Sequence, residues 1–270
     1  MSETPSPERG QTKPAATILL LRDEPEFQVL MVKRHHQIDF ASGAMVFPGG
    51  KTHAGDEDPA WAEHCQGWDL LDHEQRTLRI GAIREAFEEA GILLGERLDG
   101  SPIGDACDPR VREAVDRGER AFLDVVRELD VRLRLDALVV FARWITPPIM
   151  PKRFDTWFYA VRTPDDQVAA CDGRETVDAE WVAPAEVMRL ADAGERTVIF
   201  PTRMNLQLLA EASSADDCVA LARARRLVTV QPRVETRGDR RYLVLPPDAG
   251  YGDVAEPLET AALAQKVSSE

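Results

Sequence analysis

Residues 15–22 and 27–34 are two apolar runs containing β-branched side chains. The polar Asp23-Glu24-Pro25-Glu26 between them marks a turn, so the pair reads as a hairpin. Residues 44–47 look like a further strand, ended by Pro48-Gly49-Gly50, a tight-turn sequence. The period then changes. Residues 73–90 carry apolar positions at helical spacing, with Asp72 and Gln75 placed as a capping pair and Gly91 placed to end the helix in a left-handed residue. Residues 109–129 also have helical spacing, with Val111, Val115, Phe122, Val125, Val126 and Leu129 along one face. Strands follow at 137–145 and 156–162, joined by the Pro-rich stretch 146–153. A last strand at 180–182 precedes a helix over 184–193, and two more helices, 203–212 and 215–225, lead to a β-like end at 242–245. Strands and helices interleaved in this way predict a mixed sheet covered by helices on both faces. Residues 1–13 are polar and read as a disordered tail, and the chain beyond Asp253 reads as a polar tail. The segment 52–71 carries Trp61 and Trp68 and is expected to fold, at least in part, against the body.

Composition narrows the function. The 270 residues include 33 Lys and Arg against 47 Asp and Glu, a net charge of −14. That balance opposes a nucleic-acid polymer as partner, because such affinity comes from basic patches on phosphates. It leaves room for a small phosphate-bearing substrate whose charge metal ions neutralise locally. No apolar run approaches the ~20 residues that span a bilayer, so no membrane partner is expected. The first residues lack the apolar stretch of a secretory signal. Cys65, Cys107, Cys171 and Cys218 form no Cys-x-x-Cys pair. A reduced, cytoplasmic compartment is therefore expected, and a homodimer stays open.

Residues 84–92, Arg-Glu-Ala-Phe-Glu-Glu-Ala-Gly-Ile, carry the chemistry. On a helix Glu85, Glu88 and Glu89 stand at i, i+3 and i+4 and share one face, while Ala82, Ile83, Ala86, Phe87 and Ala90 lie mostly opposite. Three like charges within one turn repel unless a cation sits among them. Clustered carboxylate oxygens suit Mg²⁺ or Mn²⁺. Glutamate pairs are also common on solvated helix faces, so spacing alone decides little. The full set of one Arg, three Glu and one Gly is more selective, since residues of ~5–7% usage match all five places by chance in roughly one of several thousand sequences.

Together with the upstream Val46-Phe47-Pro48-Gly49-Gly50, this run resembles the signature of the Nudix hydrolases: a glycine turn followed by an Arg-Glu-x-x-Glu-Glu-x-Gly helix. The usual spacing is stretched by about twenty residues, roughly 52–71, inserted inside the motif; loop closure tolerates such length. The acidic position six residues after Gly50 is Asp56, with Glu57 beside it. The resemblance implies an α/β class, a Nudix α/β/α sandwich with a mixed sheet over residues 14–193, and a helical C-terminal extension over 194–252. It implies that Glu85, Glu88 and Glu89 hold divalent cations, Mg²⁺ or Mn²⁺. Arg84 would orient a helix carboxylate, and Glu85 or a glutamate on a later loop would act as general base. Gly50 would let the turn approach the helix. Glu175, favoured over Glu180, is the candidate extra acid.

Gly43-x-x-x-Phe47-Pro48-Gly49-Gly50, following Leu30-Met31-Val32-Lys33-Arg34, partly resembles an element of coenzyme A diphosphatases; Asp39 stands where an arginine is expected. The insertion, the 142–147 segment and the long C-terminus are similar to the acyl-coenzyme A diphosphatase branch. Substrate contacts are therefore expected at Arg34, Phe47, Gly49, Gly50 and Arg153, with Lys33, His35, His36 and Lys152 as further basic candidates. The implied reaction is hydrolysis of a nucleoside diphosphate linked to another group, coenzyme A or acyl-coenzyme A first. ADP-ribose or a nucleotide sugar is the enzymatic alternative, and a nucleotide-sensing module the non-enzymatic one.

Overall fold

The computed structural model describes residues 11–34, 43–104, 108–171 and 176–260. In chain order the elements are strands β1 (Lys13–Arg22), β2 (Gln28–Arg34), β3 (Met45–Val46), β4 (Gly49–Lys51) and β5 (Cys65–Gln66), then helix α1 (His73–Ala90) and strand β6 (Gly95–Arg97). Helices α2 (Pro109–Asp116) and α3 (Phe122–Glu128) precede strands β7 (Val131–Arg134), β8 (Val139–Ile145), β9 (Phe154–Arg162) and β10 (Thr176–Val182). Helices α4 (Pro184–Asp192), α5 (Phe200–Leu209) and α6 (Ala215–Ala224) follow. Strands β11 (Thr229–Val230), β12 (Arg233–Arg237), β13 (Arg240–Val244) and β14 (Ala255–Pro257) come last.

The main sheet runs β10-β2-β1-β9-β8-β11, with β3 beside β2 and β4 beside β1. It is mixed: β1 pairs with β9 in parallel from Lys13–Phe154 to Leu21–Arg162, β8 takes β11 in parallel, and the remaining pairs are antiparallel. A strand buried on both faces reads as a nearly continuous apolar run, and β1 shows why. Ala16, Ile18 and Leu20 face one core with Ile83 and Phe87 of α1. Leu19 and Leu21 face the other, with Phe200, Met204 and Leu209 of α5 and Cys218 of α6. The result is the expected α/β/α arrangement, in which residues 194–252 furnish much of the second core.

Several elements differ from their sequence pattern. The single helix expected over 109–129 is two, because Gly118 takes φ +67° between α2 and α3 and the chain turns there. Strand β10 begins at Thr176 rather than at Glu180, and β11, β12 and β14 escaped the pattern altogether. The tail expected beyond Asp253 is structured as far as it is described: β14 pairs with β13, and Val254 and Leu258 pack on the second core. Helix α1 is buried on every side from Thr77 to Ala90, so its glutamate face looks into protein rather than bulk water.

The inserted segment is a run of short 3₁₀ turns plus β5, which pairs with β7 beside β6 in a small second sheet. Trp61 anchors it. Its ring lies in the first core 5.6 Å from Phe122, and its Nε1 donates to the Gly55 carbonyl at 2.9 Å. No helix among the described residues is long and apolar enough to cross a membrane.

Candidate active site

Both ends of α1 are fixed by local chemistry. The Asp72 carboxylate accepts from the Gln75 N–H at 2.8 Å, satisfying one of the orphan donors at a helix start. Gly91 closes the other end at φ +71°, where its N–H reaches the Phe87 carbonyl at 3.0 Å. Glu85, Glu88 and Glu89 thus sit in the last two turns of a rigid, capped rod.

The β4 turn meets that end of the helix. The Gly49 N–H donates to Glu89 Oε2 at 3.0 Å. A Cβ on Gly49 would come within 2.6 Å of the Ala16 carbonyl oxygen, and one on Gly50 within 2.5 Å of Glu85 Oε1. Two glycines are required because backbone and carboxylate occupy the space a side chain would take. Arg84 binds the cluster from the helix itself: its Nη1 donates to Glu88 Oε2 at 2.7 Å and to Glu85 Oε1 at 3.0 Å. Its other edge grips Asp56, Nε to Oδ1 at 2.9 Å and Nη2 to Oδ2 at 3.1 Å, and Nη2 also reaches the Lys51 carbonyl at 2.8 Å.

These groups are deeply placed. Glu85 is 8%, Glu88 6%, Glu89 4% and Arg84 3% exposed. Burial pushes the Glu88 carboxyl up to about 8, against the pull of Arg84 and with the help of Glu85. Burial works against charge on Arg84 too, but Glu85, Asp56 and Glu88 outweigh it and hold the guanidinium firmly protonated. Three carboxyl groups, those of Glu85, Glu88 and Asp56, therefore share one guanidinium, with Glu89 held beside them by the Gly49 N–H. Such a surplus of hard oxygen donors fits a divalent cation. Among the described residues no three acidic, histidine or cysteine side chains already form a ligand cage; the oxygens are drawn to Arg84 and to the Gly49 N–H.

Known proteins share this frame. The family profile described as the NUDT19 Nudix domain matches residues 71–207, just over half of the chain, from the start of α1 into α5. The chain belongs to this Nudix family. The human acyl-coenzyme A diphosphatase NUDT19 is 27% identical over 291 residues, covering 90% of this chain and 77% of that protein. The putative nudix hydrolase 7 of Caenorhabditis elegans is 26% identical over 230 residues, covering 83% and 70%. A crystal structure of a NUDIX hydrolase from Alicyclobacillus acidocaldarius superposes with a TM-score of 0.63 at 25% identity, over 78% of this chain and 96% of that one. The protein is accordingly a Nudix hydrolase, an enzyme class that works with divalent metal ions.

Within this Nudix domain the structure brings Arg84, Glu85, Glu88, Glu89, Gly49 and Gly50 together. Phe47 is elsewhere: it is buried in the second core, on the sheet face away from α1, and offers no surface to a substrate. Phe47 lies in the short link between β3 and β4, where its aromatic ring is taken up by that apolar core while Gly49 and Gly50 meet the helix. Arg153 immediately precedes β9, where its Nε donates to the Thr146 carbonyl at 3.0 Å and its own carbonyl accepts from Lys13. Arg34 closes β2 opposite Thr176. His35, His36, Asp39 and Glu175 lie outside the described residues. Thr176, next after Glu175, donates to the Glu89 carbonyl at 3.3 Å. Glu180, the lesser acid candidate, pairs with Arg196 at 3.0 Å.

Two partners of the site are not assigned by the sequence pattern. Asp56, notable there only for its place after Gly50, proves to be the partner of Arg84, and the +6 spacing is its signal. Arg112 of α2 is buried and donates from Nε to the Glu88 carbonyl at 2.7 Å. It places a cation where the helix C-terminus carries partial negative charge. Only the folded chain brings α2 to that spot.

Proposed function

We propose that this Nudix hydrolase cleaves the diphosphate of coenzyme A or an acyl-coenzyme A, giving adenosine 3′,5′-bisphosphate and (acyl) phosphopantetheine. The observation that carries the chemistry is the meeting of Glu85, Glu88 and Glu89 with Arg84 against the Gly49-Gly50 turn. The substrate class rests on the names of the relatives and on the Gly43-to-Gly50 element.

In this reading Glu85, Glu88 and Glu89 hold Mg²⁺ or Mn²⁺. A bound ion of this kind neutralises diphosphate charge and lowers the pKa of a coordinated water. Arg84 keeps Glu85 and Glu88 in register, and the Gly49 N–H does the same for Glu89. Water adds to one phosphorus as its proton passes to a Glu85 oxygen, and the bridging P–O bond breaks with its electron pair on the leaving phosphate. No covalent enzyme intermediate is needed. Arg34 and Arg153 are the proposed contacts to substrate phosphates, and Glu175 the extra acid.

Separation of products after incubation with coenzyme A, an acyl-coenzyme A, ADP-ribose and NADH in Mn²⁺ tests the substrate. Adenosine 3′,5′-bisphosphate from the coenzyme A arms is expected in preference to AMP from the other two. Faster turnover of ADP-ribose would overturn the coenzyme A assignment, and no cleavage of any diphosphate would overturn the site.

A further inference from the structure

Glu88 and Glu89 stand in the last turn of α1, a weak place for residues that must hold an ion. The last four carbonyls of a helix have no partner within it, and such turns fray unless other groups take them. Here all four are taken. The Phe87 carbonyl accepts from the Gly91 N–H at 3.0 Å, that of Glu88 from Arg112 Nε at 2.7 Å, that of Glu89 from the Thr176 hydroxyl at 3.3 Å, and that of Ala90 from the Ala170 N–H at 2.9 Å. The Gly91 bond is the local turn expected at a helix end. The other three donors come from far along the chain: α2, the link after β9, and the start of β10. Gln167 fastens the same link just beyond the helix, its Oε1 accepting from the Leu93 N–H at 2.8 Å and its Nε2 donating to the Leu93 carbonyl at 3.0 Å.

The donors to Glu88 and Glu89 are side chains, and both are buried: Arg112 is 8% and Thr176 0% exposed. A guanidinium donating to a carbonyl makes a charge-assisted bond, shorter and stronger than a neutral one. Arg112 also lies against Gly91, where a Cβ would stand 3.2 Å from its Nη1, so the left-handed glycine makes room for the guanidinium. The carboxylates of the same two residues are held separately, Glu88 by Arg84 and Glu89 by the Gly49 N–H. Each glutamate is thus pinned twice, at its carboxylate and at its backbone carbonyl. Fixing both ends leaves the spacing of the oxygens little freedom, and a small divalent cation such as Mg²⁺ demands near-ideal ligand geometry.

We propose that Arg112 and Thr176 are positioning residues of the metal site, acting through the carbonyls of Glu88 and Glu89 to keep the two carboxylates at the spacing a divalent cation takes. The inference rests on the reading of Glu85, Glu88 and Glu89 as the metal ligands. Two rival roles lead to other outcomes. A cap that only stabilises the helix would leave metal affinity unchanged. A pure charge effect has the opposite sign, because a nearby guanidinium repels a cation and its removal would tighten binding.

Mn²⁺ titration of the full chain tests the proposal, with the free ion read by electron paramagnetic resonance and thermal unfolding in EDTA reporting the fold. Gln Nε2 occupies the place of Arg Nε along the side chain, so Arg112→Gln keeps the donor and drops the charge, whereas Arg112→Met drops both. Arg112→Met should raise the Kd for Mn²⁺ about 10–100-fold, with Arg112→Gln within about threefold of wild type. Thr176→Val keeps the shape and loses the hydroxyl; it should weaken Mn²⁺ binding in the same direction, and Thr176→Ser should not. That second pair reads the Glu89 side if Arg112→Met fails to fold. Equal affinity in Arg112→Gln and Arg112→Met would overturn the proposal, as would Mn²⁺ binding in Thr176→Val as tight as in wild type. Glu88→Gln tests the underlying reading separately: it should lose Mn²⁺ binding, and wild-type affinity there would overturn the ligand assignment and this inference with it.

Discussion

Replacing Asp56 by alanine probes the buried ion pair that joins the insertion to the glutamate helix. Asp56 and Arg84 are each 3% exposed, and their side chains share two hydrogen bonds at 2.9 and 3.1 Å. Asp56 Oδ2 also accepts the His53 N–H at 2.8 Å. Removing one partner of a buried ion pair costs about 3–5 kcal/mol, because the other charge is left without its counterion. Arg84 keeps Glu85, Glu88 and the Lys51 carbonyl, so the low end, about 3 kcal/mol, applies. At about 2–4 °C per kcal/mol in domains approaching this size, Tm should fall by about 6–12 °C. Asp56→Asn, which retains one acceptor, should fall between that value and wild type. Thermal unfolding followed by circular dichroism at fixed pH, in EDTA, reads the shift directly. Turnover measured well below Tm should also drop about 10–100-fold, because Arg84 orients two of the proposed metal-binding carboxylates. A Tm within about 2 °C of wild type would refute the claim that this pair holds the site together.

Gly50→Ala should lower turnover by about two orders of magnitude while the far-ultraviolet spectrum stays native, since the new Cβ would stand 2.5 Å from Glu85 Oε1; unchanged kcat would remove the close-approach argument. The Glu88 carboxyl, ordinarily near 4.5 and raised by burial to about 8 in the folded state, makes the metal-free protein bind more protons than its unfolded chain between those values. Its contribution to stability is therefore fully present below about 4.5 and lost as pH rises through about 8. Denaturation midpoints in EDTA should show that decline in wild type and a flatter profile in Glu88→Gln. Trp61→Ala should cost about 3–5 kcal/mol by opening a void in the first core; urea unfolding that finds under 1 kcal/mol would mean the insertion is merely draped on the surface.

The residues that were legible in the sequence are those whose signal is local. The two-sided apolar run of β1, the Asp72 cap, the Gly91 stop and the i, i+3, i+4 glutamates all follow from neighbours a few positions apart. What failed to show depends on distant partners. Strand β11 is two residues long and becomes a strand only because β8 has a free edge. Arg112 is unremarkable until α2 folds back over the end of α1. Burial all around α1 could not be foreseen either, because an arginine and three glutamates normally mark a wet face. Phe47 misled for a related reason: motif membership says nothing about which of its side chains pack into the core.

The parallel pairing of β1 with β9 has a consequence for biosynthesis. Strand β1 leaves the ribosome early and must wait, half-partnered with β2, until Phe154–Arg162 has been made. During that interval the aliphatic stripe of Ile18 to Leu21 has one hydrogen-bonding edge uncovered, a state that invites association with other chains. Distant pairings of this kind also slow folding. Newly made protein should therefore depend on chaperone capacity more than a locally connected fold of equal size.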